Sequence, residues 1–305
     1  MFLGFDTSNY TTSLATLEDN KIVNEKIMLK VKSGEKGLRQ SDAVFQHTVN
    51  LPQIMDRLDL KGVEAVGVSD KPRNAEGSYM PCFLAGVSAA TAAARSLGVP
   101  LYKTSHQVGH ILAVLFAFGR LDLIGERFIA FHLSGGTTEA LIVTPDKENI
   151  INAEIVSKSL DLKAGQAIDR TGVMLGLDFP CGRELDLLSQ KSSRKNKIKP
   201  TIIGGDCSLS GVENKAGKML ENGEESEDIA KFVLSYVAES VSAMLKGIIN
   251  EYGNMPVIFS GGVSSNSLLR EVITKDYDAC FAPAEFSLDN AAGIAVYASL
   301  KHKGL

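Results

Sequence analysis

The chain has 305 residues, 44% of them hydrophobic, enough for a substantial core and for one large or two medium domains, which excludes small single-core folds. Its 32 Lys+Arg against 36 Asp+Glu give a formal net charge of −4, so the chain as a whole is no polycation that holds nucleic acid by charge alone. Four cysteines without a CxxC pair argue against a disulfide scaffold or cysteine zinc knot. With no basic leader and no uncharged apolar run of about 18 residues, they point to a cytoplasmic protein with no membrane contact.

Met1 to Ser8 reads as a strand, Thr11 to Glu18 as a second and Lys21 to Lys30 as a third, a meander opened by the hydroxyl-rich turn Ser8-Asn9-Tyr10-Thr11-Thr12. Gly37 to Leu60 is expected to be largely helical, Val63 to Ser69 a buried strand, Phe83 to Leu97 an Ala-rich helix and Val99 to Lys103 a strand. Helix follows at Ile111 to Phe118, and the opening design recurs at Arg127 to Val156. Laid without a gap over each other, Gly4-Phe5-Asp6-Thr7-Ser8-Asn9-Tyr10-Thr11-Thr12 and Ala130-Phe131-His132-Leu133-Ser134-Gly135-Gly136-Thr137-Thr138 agree at the phenylalanine, the serine and both threonines. This repeat points to a duplicated α/β chain, with an N-terminal lobe at 1–120 and a C-terminal lobe at 121–305. The closing helix is a candidate to pack back on the first lobe.

The second half contains a polar, helical insertion at 157–226 and then a long amphipathic helix, Ile229 to Tyr252. A strand at Met255 to Ser260, a helix at Ser265 to Thr274 and a closing helix at Asn290 to Ser299 complete it. Alternation of this kind implies covered, mostly parallel sheet beyond each meander. Inside the insertion, Lys191-Ser192-Ser193-Arg194-Lys195-Asn196-Lys197-Ile198-Lys199 is a basic loop, read either as a solvated surface segment or as a contact to an RNA phosphate backbone.

Two of the five histidines, His106 and His110, stand four apart at the head of the apolar helix, a spacing that puts both imidazoles on one face within reach of one metal ion. The familiar zinc protease motif needs a glutamate after the first histidine as general base; Gln107 argues against that class. Asp289, ahead of an Ala-rich helix, reads as a helix N-cap or as the carboxylate of a two-His, one-carboxylate set suited to iron(II) or zinc. Ser134-Gly135-Gly136-Thr137-Thr138 offers successive N–H groups and hydroxyls to an anion, as does the equivalent first turn. Together the two turns suggest a nucleotide phosphate clamped between two lobes. Phe259-Ser260-Gly261-Gly262-Val263-Ser264-Ser265-Asn266 runs from strand through a glycine pair into helix, another site for adenosine or phosphate.

These motifs, in this order and over nearly the whole chain, resemble the universal tRNA threonylcarbamoyltransferase family, once described as O-sialoglycoprotein endopeptidases. The likeness includes Asp6-Thr7-Ser8, His106 with His110, Ser134-Gly135-Gly136, Ala164-Gly165 with Asp169, Gly182, Ser210-Gly211, Gly261-Gly262-Val263 with Asn266, and Asp289-Asn290-Ala291-Ala292. It implies the duplicated α/β fold of the actin, Hsp70 and sugar-kinase (ASKHA) superfamily, two lobes with a central nucleotide cleft. By resemblance, His106, His110 and Asp289 would hold one divalent metal, iron or zinc, with Asp6, Ser8 and Thr11 at the reactive centre. Ser134, Gly135, Gly136, Thr137, Gly165, Asp169, Gly182, Asp186, Gly262 and Asn266 would bind an adenine nucleotide or threonylcarbamoyl-AMP. The implied reaction passes the threonylcarbamoyl group to N6 of the adenosine beside the tRNA anticodon; the implied partners are tRNA, a paralogous subunit of the same fold and a small P-loop ATPase.

The chain departs from the family pattern at Asn9-Tyr10-Thr11 (Cys-Asp-Glu in the family), at Ser41 and Phe45 (Glu and Arg), at Lys71-Pro72-Arg73 (Gly-Pro-Gly), at Thr137 (His), at Gln166 (Glu) and at Glu213 (Lys). The alternative function is therefore a catalytically weakened paralogue that keeps nucleotide and metal and serves as a partner or scaffold. A sugar kinase or ATPase is disfavoured, because those reactions use magnesium carboxylates rather than imidazoles.

Overall fold

The computed structural model describes residues 1–8, 10–31, 38–282 and 291–305. Its elements run β1 (Phe2–Asp6), β2 (Thr11–Glu18), β3 (Lys21–Met28), α1 (Gln40–Met55), β4 (Ala65–Lys71), α2 (Phe83–Leu97), β5 (Leu101–Ser105) and α3 (His106–Ala117). After a 3-10 turn come β6 (Phe128–Leu133), β7 (Thr138–Asp146), β8 (Ile150–Lys158), α4 (Ala164–Met174), α5 (Gly182–Ser189), β9 (Thr201–Ile203) and β10 (Asp206–Ser208). The chain continues through α6 (Ser210–Glu221), α7 (Ser226–Tyr252), β11 (Val257–Ser260), α8 (Ser267–Asp276), β12 (Ala279–Phe281) and α9 (Ala292–His302). Contacts group the chain into two units: Met1–Glu126 with Thr144–Ala153 and Leu288–Leu305, and Arg127–Val143 with Glu154–Ser287.

Each unit is built on a five-stranded sheet, β3-β2-β1-β4-β5 in the first and β8-β7-β6-β11-β12 in the second. The inner hairpins are antiparallel and the strands beyond them parallel. The repeat read from sequence extends to register: β1 pairs Phe5 with Leu14 and Asp6 with Ser13, and the same shift along the chain carries these onto Phe131 with Ala140 and His132 with Glu139. All five residues of β1 are buried, as a central strand covered on both faces requires. One face packs on α1 and α2 through Leu3, Phe5, Ile54, Val66, Val68 and Ala90.

The other face is covered by α9, which lies close because the sheet carries glycines where it passes. A Cβ at Gly4 would come within 2.5 Å of the Ala295 nitrogen, and one at Gly67 within 2.6 Å of the Ile294 carbonyl. The start of α9 is tied down by the Ala291 N–H, which donates to Ser13 Oγ at 2.9 Å.

In the second unit α7 is the core helix, and its buried residues include Ile229, Val233, Val237, Val241 and Leu245. It is long and apolar enough to cross a membrane by length and composition, but just over half of its most apolar stretch is buried inside the protein. The 157–226 segment, read as helical, also contains the short hairpin β9–β10, and β12 extends the second sheet. Three-residue strands are too short to print a period-2 pattern. All four thiols are free, and burial pushes that of Cys207 up to about 11, so it is neutral and unreactive at ordinary pH.

Asp161 staples the insertion together. Its carboxylate accepts from Ser208 Oγ at 2.7 Å, from the Leu209 N–H at 2.8 Å and from the Leu162 N–H at 2.7 Å. Partial burial opposes ionisation, but the hydrogen bonds from Ser208, Ser210, Leu209 and Leu162 outweigh it and hold the group well below the usual carboxylate range. A depressed pKa stabilises the fold above the unfolded value of about 3.9 and loses that contribution as pH falls further. Asp161→Asn is therefore expected to destabilise the protein by about 1 kcal/mol at pH 7, and the gap to wild type in urea unfolding should narrow below about pH 4.

Candidate functional site

The end of β1 carries a deeply buried carboxylate: the Asp6 side chain is 2% exposed. A buried carboxylate persists only when its lone pairs are satisfied. One oxygen of Asp6 accepts from the Ser8 N–H at 3.1 Å and Ser69 Oγ at 2.6 Å; the other accepts from Ser8 Oγ at 3.1 Å and lies 2.8 Å from His106 Nδ1. The strand order makes this meeting possible, since parallel β4 and β5 carry Ser69 and the start of α3 up to the end of β1.

Helix α3 begins at His106 itself, five residues before the sequence-based start, because Ser105 accepts the Val108 N–H and caps the helix. Both histidines therefore sit in its first two turns, and their ring centroids are 4.3 Å apart at 78°. With Nδ1 turned to Asp6, His106 holds its Nε2 3.5 Å from Ser8 Oγ. Thr7 pins the same loop to α2, donating to the Cys82 carbonyl at 3.0 Å and accepting from the Gly86 N–H at 3.1 Å. Thr11 opens β2, its N–H 3.4 Å from the Ser8 carbonyl. Among the described residues no three His, Cys, Asp or Glu side chains gather as a metal site; Asp289 lies outside the described residues.

The second unit holds the other group of residues. Ser134 to Thr137 form a tight turn, with the Ser134 N–H on the Thr137 carbonyl and the Thr137 N–H on Ser134 Oγ. A Cβ at Gly135 or Gly136 would meet open space, whereas one at Gly165 would lie 2.7 Å from the Gly135 nitrogen, the Gly135 Cα and the Ser134 carbonyl oxygen. The turn is thus pressed against the start of α4, and Thr138 Oγ1 accepts the Ala164 N–H at 2.8 Å. Gly165→Ala is expected to displace the turn and weaken nucleotide binding at least about 10-fold, a factor corresponding to 1.4 kcal/mol, measured by calorimetric titration with AMP.

Beside the turn is a cavity of ≈ 690 Å³ lined by Gly135, Gln166, Asp169, Arg170, Val173, Met174, Phe179 and Glu213, within the usual size range of a small-molecule site. Gly135 and Asp169 were singled out from sequence as ligand-binding residues. Arg170, Val173, Met174 and Phe179 were not. Gln166, Asp169, Arg170, Val173 and Met174 recur at helical spacing on one face of α4, while Ala167, Ile168 and Thr171 are buried on the other. A second semi-apolar stripe opposite a core stripe was the signal available.

Three further residues have structural engagements. Asp169 Oδ1 accepts the Cys181 N–H at 2.9 Å. Asp186 accepts from the Ser267 N–H and hydroxyl at 3.0 and 2.7 Å, and Asn266 caps α8 by accepting the Leu269 N–H at 3.0 Å. These bonds bring Asp186 and Asn266 together at the head of α8. Gly262 sits in the adjoining 3-10 turn, after Gly261, whose φ of +89° and approach to the Leu133 carbonyl exclude a side chain. Gly182 opens α5 directly after Cys181, the residue whose N–H Asp169 holds. Two of the departures from the family pattern also have partners: Gln166 accepts the Lys163 N–H at 3.1 Å, and Glu213 pairs with Arg170 at 2.9 Å.

A five-stranded sheet repeated with the same order and register defines the ASKHA fold. Solved structures of that architecture align along the whole chain. Component A of the Acidaminococcus fermentans (R)-2-hydroxyglutaryl-CoA dehydratase superposes with a TM-score of 0.58 at 16% identity, covering 99% of this chain and 98% of its own. T. kodakarensis HypF gives 0.60 at 14% identity, covering 99% and 47%. Among curated sequences, the tRNA N6-adenosine threonylcarbamoyltransferases of Kosmotoga olearia and Thermosipho africanus are each 29% identical. They cover 99% and 96% of this chain and 93% and 92% of their own. The profile of the TsaD family, tRNA N6-adenosine threonylcarbamoyltransferase, matches residues 29–296. The chain belongs to that family and is a transferase.

Proposed function

We propose that the chain transfers the threonylcarbamoyl group of threonylcarbamoyl-AMP to N6 of the adenosine beside the tRNA anticodon, with one divalent metal, iron or zinc, held by His106, His110 and Asp289. The observation that carries this reading is the contact between Asp6 and His106 Nδ1. A carboxylate that takes the Nδ1–H of a histidine fixes the tautomer whose Nε2 ligates a metal, and a second imidazole stands at 4.3 Å. That donor set suits iron or zinc. When bound, such an ion supplies Lewis-acid polarisation of an oxygen on the transferred group.

The protein's own groups do the rest. Asp6 orients His106, and Ser8 offers its hydroxyl beside Nε2. The Ser134 to Thr137 turn presents its open backbone face to the phosphate of the AMP leaving group, and the cavity along α4 takes the nucleoside. Asp186 and Asn266 contribute by fixing the head of α8.

The weakened-paralogue reading is favoured by one observation, the Arg170–Glu213 pair, which neutralises the cavity's arginine. Mass spectrometry of tRNA separates the two readings: the protein is incubated with threonine, bicarbonate, ATP, the adenylate-forming enzyme and the proposed paralogous and ATPase subunits. Threonylcarbamoyladenosine in the digest is the expected result; its absence beside a working positive control favours the paralogue. His110→Ala is expected to strip the metal, about one ion per chain by mass spectrometry, and unchanged metal content excludes the site.

A further inference from the structure

The second unit has another concave surface, of ≈ 400 Å³, whose lining shares no residue with the cavity along α4. One wall is the segment between α5 and β9, residues 192–200, which is neither helix nor strand. Along it exposure alternates: Lys195, Lys197 and Lys199 are exposed while Asn196 and Ile198 are half-buried. The three lysines therefore share the solvent side of the segment, and Lys195 and Lys197 line the groove. The opposite wall is α6, where Lys215 and Lys218, three residues apart, occupy one helix face.

The charges of this groove are not spent within the protein. Arg194 is the exception, held by Glu224 and Asp228, and it acts as the strut that fixes the loop. Among the described residues Lys195, Lys197 and Lys218 have no ion-pair partner, and Lys215 lies over the Tyr236 ring at 5.5 Å. The groove is also lined by Phe232, whose ring centroid is 6.3 Å from that of Tyr236. The Asn196 amide nitrogen is buried there without an acceptor, a donor whose isolation costs free energy.

Lysines on two elements beside one half-buried aromatic ring, Phe232, suit a polyanion with flat rings. It does not match a point anion, which needs converging donors. Single-stranded nucleic acid is bound by this combination of backbone-tracking cations and stacking aromatics. We propose that this groove docks an RNA strand, with Lys195, Lys197, Lys215 and Lys218 on phosphates and Phe232 available to a base. The proposal rests on tRNA as the substrate argued above and adds the surface that holds it. Net charge did not reveal it because the chain's 36 Asp+Glu offset its 32 Lys+Arg in the total.

The test measures fluorescence anisotropy of a labelled tRNA with the full-length protein across a salt series. The charge-reversal variant Lys195→Glu, Lys197→Glu, Lys218→Glu is compared with a control of equal net charge, Lys158→Glu, Lys246→Glu, Lys275→Glu, all exposed positions of the same unit. The groove variant is expected to bind at least about 10-fold more weakly, with the slope of log K against log salt reduced by about 2, and the control to bind measurably tighter than it. Circular dichroism and thermal unfolding confirm that each variant is folded. Equal loss in both variants reduces the effect to net charge and overturns the proposal. Unchanged affinity in the groove variant also overturns it. The modification assay separates this inference from the reaction: tRNA bound through the groove but never modified leaves the docking surface standing and removes the proposed activity. Modification with an unaltered KM for tRNA in the groove variant does the reverse.

Discussion

Asp6→Asn is expected to lower bound metal and transferase activity by about 10- to 100-fold while leaving the protein folded. The side chains have the same shape, so the oxygen that accepts from the Ser8 N–H and Ser69 Oγ is retained. The other oxygen becomes an amide nitrogen and turns from acceptor to donor. His106 then best meets it with an unprotonated Nδ1, which moves the imidazole proton to Nε2 and removes the lone pair a metal needs. Elemental analysis of purified protein gives the first readout and nucleoside analysis of modified tRNA the second. Wild-type metal content in the variant would show that Asp6 does not orient the histidine.

Helix α9 packs against α3, and Gly293→Ala is expected to be the most destabilising single substitution where they meet, by about 3 kcal/mol or more. A Cβ there would sit 1.7 Å from the Gly109 carbonyl oxygen and 2.7 Å from the Ala113 nitrogen; both are backbone atoms that no rotamer change can clear. The reciprocal change, Gly109→Ala, meets chiefly the Ile294 side chain, Cδ1 at 2.5 Å and Cγ1 at 3.2 Å, which can swing aside, so a much smaller loss is expected. Urea unfolding of the two variants measures the contrast. Because α3 carries His106 and His110, Gly293→Ala should also reduce metal content in whatever fraction remains folded.

The duplicated fold was legible because the repeat lies in residues that fix strand geometry. Phe5 and Phe131 are both fully buried, and a turn of constant length between paired strands preserves register. Helix Phe83–Leu97 and strand Thr11–Glu18 were read to the residue, since an alanine-rich run ending at Gly98, which adopts φ 68°, and a strand ending at Asp19-Asn20 both carry explicit stop signals. Asp6 and His106 were each singled out, but not their contact: they are 100 positions apart, and only the order β1-β4-β5 brings them together. The cavity was half legible. Its glycine turn is a local motif, whereas its α4 wall is a pattern of exposed residues that a search for core periodicity passes over. The charge changes at Gln166 and Glu213 were visible as departures, but their partners Lys163 and Arg170 were set by the fold.

The hydrogen bond from Ala291 to Ser13 spans 278 positions, and this has a consequence for the order of assembly. The sheet that bears Asp6 has one face covered by α1 and α2, which follow it closely in the chain; α9, on the other face, is synthesised after the entire second unit. Until α9 arrives, Gly4 and Gly67 line a bare groove of sheet. Contacts of such long range are slow to form, so the His106 corner should be among the last parts to gain native order. Amides of β1 should acquire hydrogen-exchange protection later in refolding than those of β6.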